Sequence, residues 1–333
     1  MDENQLENWL SEPTPATRQA LGSLPGDIVV LGAGGKMGPT LAAMLKKAAP
    51  DRAVCAVSRF SDGAVEARLQ DRGIRTVRAD LLDESVYDSL PDATNVFYLA
   101  GMKFGATGRQ PLTWAMNAYM PALAARRYCQ SQIVAFSTGN VYPFTDVAAG
   151  GSRETDPPAP VGEYAQSCLG RERIFQFFSE RFGTPVTLIR LNYANEPRYG
   201  ILVDLTLRIL HDEPIDLTMG AVNLIWQGDA NNYIVQSLAI ADSPPAILNV
   251  AGPQTLAVRD LASRIGTMLG KEPRFCSHEA PTALLSNASL CCERFGPPPT
   301  SLDAMLEAIV PWVAEGRRVL GKPTKYDARD GRF

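Results

Sequence analysis

Residues 27–48, "DIVVLGAGGKMGPTLAAMLKKA", run from an apolar strand through a loop with four glycines into a helix. A strand that is apolar at every position is buried on both faces, as in a parallel sheet covered by helices on each side. The alternation repeats downstream. "RAVCAVSR" (52–59), "IRTVRAD" (74–80), "NVFYLAG" (95–101), "QIVAFST" (132–138) and "PVTLIR" (185–190) read as strands. "PLTWAMNAYMPALAARRY" (111–128) and residues 161–182 read as long helices. Strands separated by helices of this length imply βαβ units and a doubly wound α/β fold around a parallel sheet. After Arg190 the pattern loosens, though "AILNVAG" (246–252) and "VRDLASRIGTML" (258–269) still belong to the main layer.

The glycine loop points to a phosphate ligand. Gly32, Gly35 and Gly38 stand three residues apart, with Lys36 and Met37 between the last two. Glycines there permit a tight turn and let backbone N–H groups approach a pyrophosphate, which the following helix N-terminus stabilises. The end of the second strand discriminates between dinucleotides. A carboxylate there would bind the ribose hydroxyls of NAD, whereas Ser58 and Arg59 suit a 2′-phosphate. NADP is favoured on this ground and NAD remains possible. Asp80, with Leu81 behind it, closes the third strand where the adenine would lie.

Composition excludes other classes. The chain has 333 residues, 45% of them hydrophobic, a net charge of −4 and a pI of about 5.4, with no basic stripe for nucleic acid or an anionic membrane. The acidic start "MDENQLENWL" has no apolar core of a secretory signal, and no run approaches a membrane span. Six cysteines without a CxxC pair fit a reduced, cytoplasmic protein. The two histidines, His211 and His278, have no metal-ligand partners at useful spacing, so no metal is expected.

With these elements in order, residues 27–190 resemble the extended short-chain dehydrogenase/reductases, the NAD(P)-dependent epimerase/dehydratase family. UDP-galactose 4-epimerase members carry a stretch much like "LAGMKFG" (99–105) after the fourth strand. The resemblance implies a Rossmann-type doubly wound parallel sheet with a small C-terminal substrate-binding lobe. It places Leu99, Ala100, Gly101 and Lys103 beside the cofactor's ribose and pyrophosphate. It also matches Asn117 in "WAMNAYMPAL", Thr138 in "FSTGNVYP" and Tyr164, 26 residues later, to the family's catalytic positions. Asn192, after the sixth strand, completes the cofactor set. The domain plan is then a leader at 1–25, an NAD(P)-binding domain at 26–194 with later contributions near 221–252, and a lobe at 195–333.

Three departures bear on function. The family's Tyr-x-x-x-Lys lysine is Cys168. Gly139 and Asn140 follow Thr138 where the 4,6-dehydratases have acidic residues. Asn223 falls where nucleotide-sugar members carry the arginine that holds a substrate diphosphate, which argues against a nucleotide sugar. In the family's chemistry the tyrosine exchanges a proton with a substrate hydroxyl while the nicotinamide exchanges a hydride. An ammonium lowers a tyrosine pKa by roughly 1–3 units, so its loss costs about 10- to 1,000-fold in phenolate at neutral pH. Lys103 and the oxidised nicotinamide ring are the compensating cations expected from sequence. Cys168 reads as a packed thiol, with a redox or nucleophilic thiol the other reading. Arg171 and Arg173, on the same helix, read as solvated residues bracketing Glu172, with a compensating cation the other reading.

The sequence thus supports an NAD(P)-dependent oxidoreductase or epimerase acting on a small sugar, sugar acid or lactone, with Tyr164 as acid/base and Thr138 as the orienting hydroxyl. The other reading is a catalytically silent NADP-binding sensor or scaffold. A homodimer is expected, paired through helices 111–128 and 161–182. Both carry surplus apolar residues: Trp114, Met116 and Met120, then Phe175, Phe177 and Phe178.

Overall fold

The structure, a computed structural model, describes residues 1–332. Seven strands form the central sheet: β1 (Ile28–Leu31), β2 (Val54–Ser58), β3 (Arg75–Arg78), β4 (Asn95–Tyr98), β5 (Gln132–Thr138), β6 (Val186–Leu191) and β7 (Ala246–Val250). Their spatial order is β7-β6-β5-β4-β1-β2-β3. β1 pairs in parallel with β2 on one side and β4 on the other, so the chain reverses its winding beside β1. The apolar runs explain this. All four residues of β1 and of β4 are buried, as are the first four of β2. Of the seven, only β3, an edge strand, has exposed residues.

The chain divides into two compact units. The first comprises residues 1–138, 163–190 and 231–248. It holds most of the sheet and its flanking helices, including Gly38–Ala48 and Gly162–Phe182. Residues 1–25 pack on this unit through two short helices, Glu3–Leu10 and Pro15–Gly22. Leu6, Leu10 and Leu21 are buried. Asn231 donates to the Leu10 carbonyl, while Asn232 accepts from the Thr14 amide and the Thr17 hydroxyl.

The second unit comprises residues 139–162, 191–230 and 249 onward. Segment 139–162 therefore leaves the first unit, contrary to the linear division expected from sequence. Its reason is long-range pairing: Thr145–Asp146 is antiparallel to Thr282–Ala283, and the Ser152 amide donates to the Leu285 carbonyl at 2.9 Å. Helices Ile201–Leu210, Val258–Leu269 and Leu302–Ala314 pack together here.

The long helix expected over 111–128 is interrupted. Helix Gln110–Trp114 passes through a π-helical turn, Ala115–Tyr119, into helix Met120–Arg127. Such widened turns often mark functional positions, and Asn117 lies inside this one. Two of the surplus apolar residues turn inward: Met120 and Phe175 are in the core, whereas Trp114 and Phe177 are exposed. Among the described residues no helix is long and apolar enough to cross a membrane.

Candidate active site

The candidate residues of the first unit gather at the carboxyl ends of the strands, the edge where open α/β sheets bind ligands. Gly32 follows β1 with φ +87°, and a Cβ there would lie 2.6 Å from the Ala100 amide nitrogen. Glycine is thus required both for the turn and for the close approach of the segment after β4. A Cβ on Gly38 would strike the Ala33 carbonyl. Gly34, which the spacing argument passed over, lies against Ser58, whose Oγ would be 2.7 Å from an added Cβ. Gly35 and half-buried Lys36 lead into helix Gly38–Ala48. Met37, at its N-cap, is buried and supplies no side-chain bond to the first turn. An uncapped helix start behind a loop that needs glycine at positions 32 and 38 fits a dinucleotide pyrophosphate.

At the end of β2, Arg59 is exposed and lies 3.9 Å from Asp80, also exposed. Such a pair is held by less than about 1 kcal/mol, so either partner is available to a ligand. Leu81 and Ala100 pack into the hydrophobic core instead of facing outward. The Leu99 amide donates to the Leu31 carbonyl at 2.8 Å, which fixes the start of the 99–103 segment. Asn192 lies in the second unit; it is buried, and its Nδ2 has no hydrogen-bond partner among the described residues.

Asn117 organises the segment after β4. Its Oδ1 accepts from the Met102 amide at 2.8 Å, and its Nδ2 donates to the Met102 carbonyl at 2.9 Å and the Ser167 hydroxyl at 2.9 Å. Gly101 is required here, because a Cβ would collide with the Arg171 guanidinium. The segment carries Lys103 to 6.0 Å from the centroid of the Tyr164 ring.

Tyr164 and Cys168, one helical turn apart, meet Thr138 from the end of β5. Tyr164 is buried, and its hydroxyl interacts with the side chains of Thr138 and Cys168. Burial pushes its pKa well above the ordinary tyrosine value; neighbouring Cys168 acts in the same direction, while Arg171 opposes both. Cys168 has no exposed surface, and burial raises its thiol pKa too. A reactive cysteine needs an accessible thiolate, so the geometry favours the packed thiol over the redox reading.

Arg171 corrects the sequence reading. It is only 6% exposed, not solvated. Its Nη2 donates to Asn117 Oδ1 at 2.5 Å and its Nη1 to the Phe136 carbonyl at 2.9 Å. Glu172 is fully buried and forms a two-point ion pair with Arg190, at 3.0 and 2.7 Å, while the Ser137 hydroxyl donates to it at 2.5 Å. Sequence analysis missed this cluster. The available signal was helical spacing: Tyr164, Cys168, Arg171 and Glu172 follow at intervals of four, three and one, close to one face. Arg173, by contrast, is exposed.

Residues 28–207 match the family model for the NAD dependent epimerase/dehydratase family, more than half of the chain. The chain belongs to that family. It is an enzyme of the extended short-chain dehydrogenase/reductase type. No curated protein matches it. Solved epimerase/dehydratase structures share its fold at low identity. UDP-glucuronic acid 4-epimerase from Bacillus cereus, in complex with NAD, aligns with a TM-score of 0.75 and 19% identity over 88% of this chain and 100% of that one. MoeE5 in complex with UDP-glucose and NAD gives 0.72 and 21%, over 87% and 99%. dTDP-glucose 4,6-dehydratase from Bacillus anthracis, in complex with NAD, gives 0.75 and 16%, over 87% and 96%. Family membership supports a nicotinamide dinucleotide cofactor without distinguishing NAD from NADP.

Proposed function

We infer that the chain is an NAD(P)-dependent oxidoreductase or epimerase acting on a secondary alcohol or ketone of a small sugar, sugar acid or lactone. The observation that carries this reading is the Tyr164–Thr138 contact at the carboxyl ends of the sheet strands, in the same unit as the glycine loop. Tyr164 exchanges the proton of the substrate oxygen, and Thr138 orients that oxygen. The dinucleotide, when bound, supplies or accepts the hydride at the same carbon. In this reading Gly32, Gly35 and Gly38 would admit its pyrophosphate, and Lys103 would hold its ribose. Asn117 holds the Met102–Lys103 segment in position.

Substrate recognition is assigned to the second unit. Asn223 supports the preference for substrates without a diphosphate. It is buried, its Oδ1 accepts from the Ser286 amide at 2.9 Å, and its Nδ2 donates to the Gln254 carbonyl at 3.2 Å, so it adds no positive charge. The test is a turnover assay with either dinucleotide over free sugars, sugar acids, lactones and their UDP-linked forms. Turnover of the free compounds alone is expected. Turnover confined to UDP-linked substrates would overturn the substrate class, and none on any of them would overturn the reaction.

Ser58 and exposed Arg59 favour NADP, since β2 ends without a carboxylate at the ribose position. Calorimetric titration should show NADP(H) binding more tightly than NAD(H), with Arg59→Ala removing most of the difference. NAD affinity equal to or better than NADP, unchanged in Arg59→Ala, would reverse the assignment.

A homodimer is supported by apolar surface on the two helices beside the site. Leu112, Trp114, Tyr119, Phe177 and Phe182 are all exposed there, and clusters of large exposed side chains mark association surfaces. Light scattering at micromolar concentration should give twice the chain mass; a monomer would remove this reading.

A further inference from the structure

We propose that Arg171 supplies the buried positive charge beside Tyr164 that Cys168 cannot, making a guanidinium one turn farther along the helix the substitute for an ammonium at position 168. The proposal rests on the reading of Tyr164 as the acid/base.

The helix geometry permits it. Position 168 is about 6 Å along the axis from Tyr164 and position 171 about 10.5 Å, both close to the tyrosine's face. Helical side chains lean towards the N-terminus, so the long Arg171 side chain points back towards Cys168 and Tyr164. The contacts agree: Asn117 Nδ2 approaches the Cys168 Sγ at 4.0 Å, and Asn117 Oδ1 accepts from Arg171 at 2.5 Å. One asparagine thus touches both the thiol and the guanidinium.

The local charge also points this way. Buried charges on and against this part of the helix include Arg171, Arg190 and Glu172, and Glu172 is committed to Arg190 at 2.7 Å. Arg171 has no ion-pair partner among the described residues, and its Nε is buried without a hydrogen bond. A buried Arg171 guanidinium with no ion-pair partner is a positive charge in a low-dielectric site, where its field is poorly screened. The groups around Tyr164 are Cys168 and Arg171 on its own helix, Thr138 from β5, and Lys103 from the segment after β4. Of the cations, Arg171 is locked by two hydrogen bonds and buried. Lys103 is only partly buried on a loop. A small thiol at 168 leaves room for this arrangement; a lysine there would press a second cation against the first.

Two measurements test this without a substrate. First, the protein is made with 3-fluorotyrosine, whose phenol is more acidic, and the Tyr164 fluorine resonance is assigned by its loss in Tyr164→Phe. Arg171→Gln keeps hydrogen-bonding capacity but removes the charge. It should raise the Tyr164 titration by roughly 1–3 units. Arg171→Lys should move it less than half as far. An unchanged titration in folded Arg171→Gln overturns the proposal. Second, Cys168→Lys should lower the thermal midpoint by roughly 6–12 °C, because it buries a second cation. Cys168→Lys with Arg171→Gln should recover most of that loss and return the Tyr164 titration towards wild type, a coupling that a double-mutant cycle measures. If Arg171→Gln alone fails to fold, rescue by Cys168→Lys supports the shared cation site, and failure of the double variant overturns it. Absence of turnover in the wild type would count against the enzymatic reading alone.

Discussion

Tyr164→Phe is expected to lower turnover by roughly 10²–10⁴-fold, the range for removal of a positioned acid/base, with dinucleotide affinity unchanged. The buried hydroxyl that touches Thr138 is the only part removed, so the ring still fills its place in the first unit. Calorimetry gives the affinity and single-turnover kinetics the rate; undiminished turnover would take Tyr164 out of the chemistry. The pH dependence follows from the direction of its shift. Burial and Cys168 hold the phenol protonated well above the ordinary tyrosine range. Carbonyl reduction uses the protonated form, so its rate should stay flat through neutral pH and fall only in strong alkali. Alcohol oxidation needs the phenolate and should rise about tenfold per pH unit across the same range. The sign for stability is consistent. The folded pKa is raised above an unfolded value of about 10, so this contribution is complete below pH 10 and is lost as pH rises through the folded value.

Glu172→Ala should cost about 3–5 kcal/mol of folding stability, the largest single effect expected outside the hydrophobic core. The Glu172 carboxylate meets Arg190 at two points, and both residues are almost wholly buried. Removing it takes the carboxylate from the Arg190 guanidinium at both points and leaves the Ser137 hydroxyl without its acceptor. Replacing Glu172 and Arg190 together by apolar residues of similar volume should cost far less, since no charge is then stranded. Urea unfolding of the three variants decides it. A loss below about 1 kcal/mol for Glu172→Ala would mean that the pair is compensated elsewhere. Because Glu172 adjoins Arg171 in sequence, Tyr164 titration in this variant also reports how far the two buried guanidiniums share one field.

Runs such as "DIVVLG" and "NVFYLAG" announced buried parallel strands because their composition alone demands two covered faces. The glycine loop was legible for a similar local reason: turn and helix start are adjacent in sequence. Tyr164 and Cys168 were legible as neighbours because helical spacing fixes which side chains share a face. That spacing could not say whether the face is wet or dry. Arg171 and Arg173 look alike in sequence, yet one is buried against Asn117 and the other is exposed. The difference is made by the π-helical turn that presents Asn117, and by β5, whose Phe136 carbonyl accepts from Arg171. The same holds for Glu172, whose partner Arg190 comes from β6, and for segment 139–162, held in the second unit by Leu285 and Thr282–Ala283. Local periodicity and turn chemistry therefore determined most of the elements, their order and the glycine loop. Which charges are buried, and which cation faces the tyrosine, was decided by contacts between residues far apart in the chain, because the cost of burying a charge depends on partners that only the tertiary structure brings near.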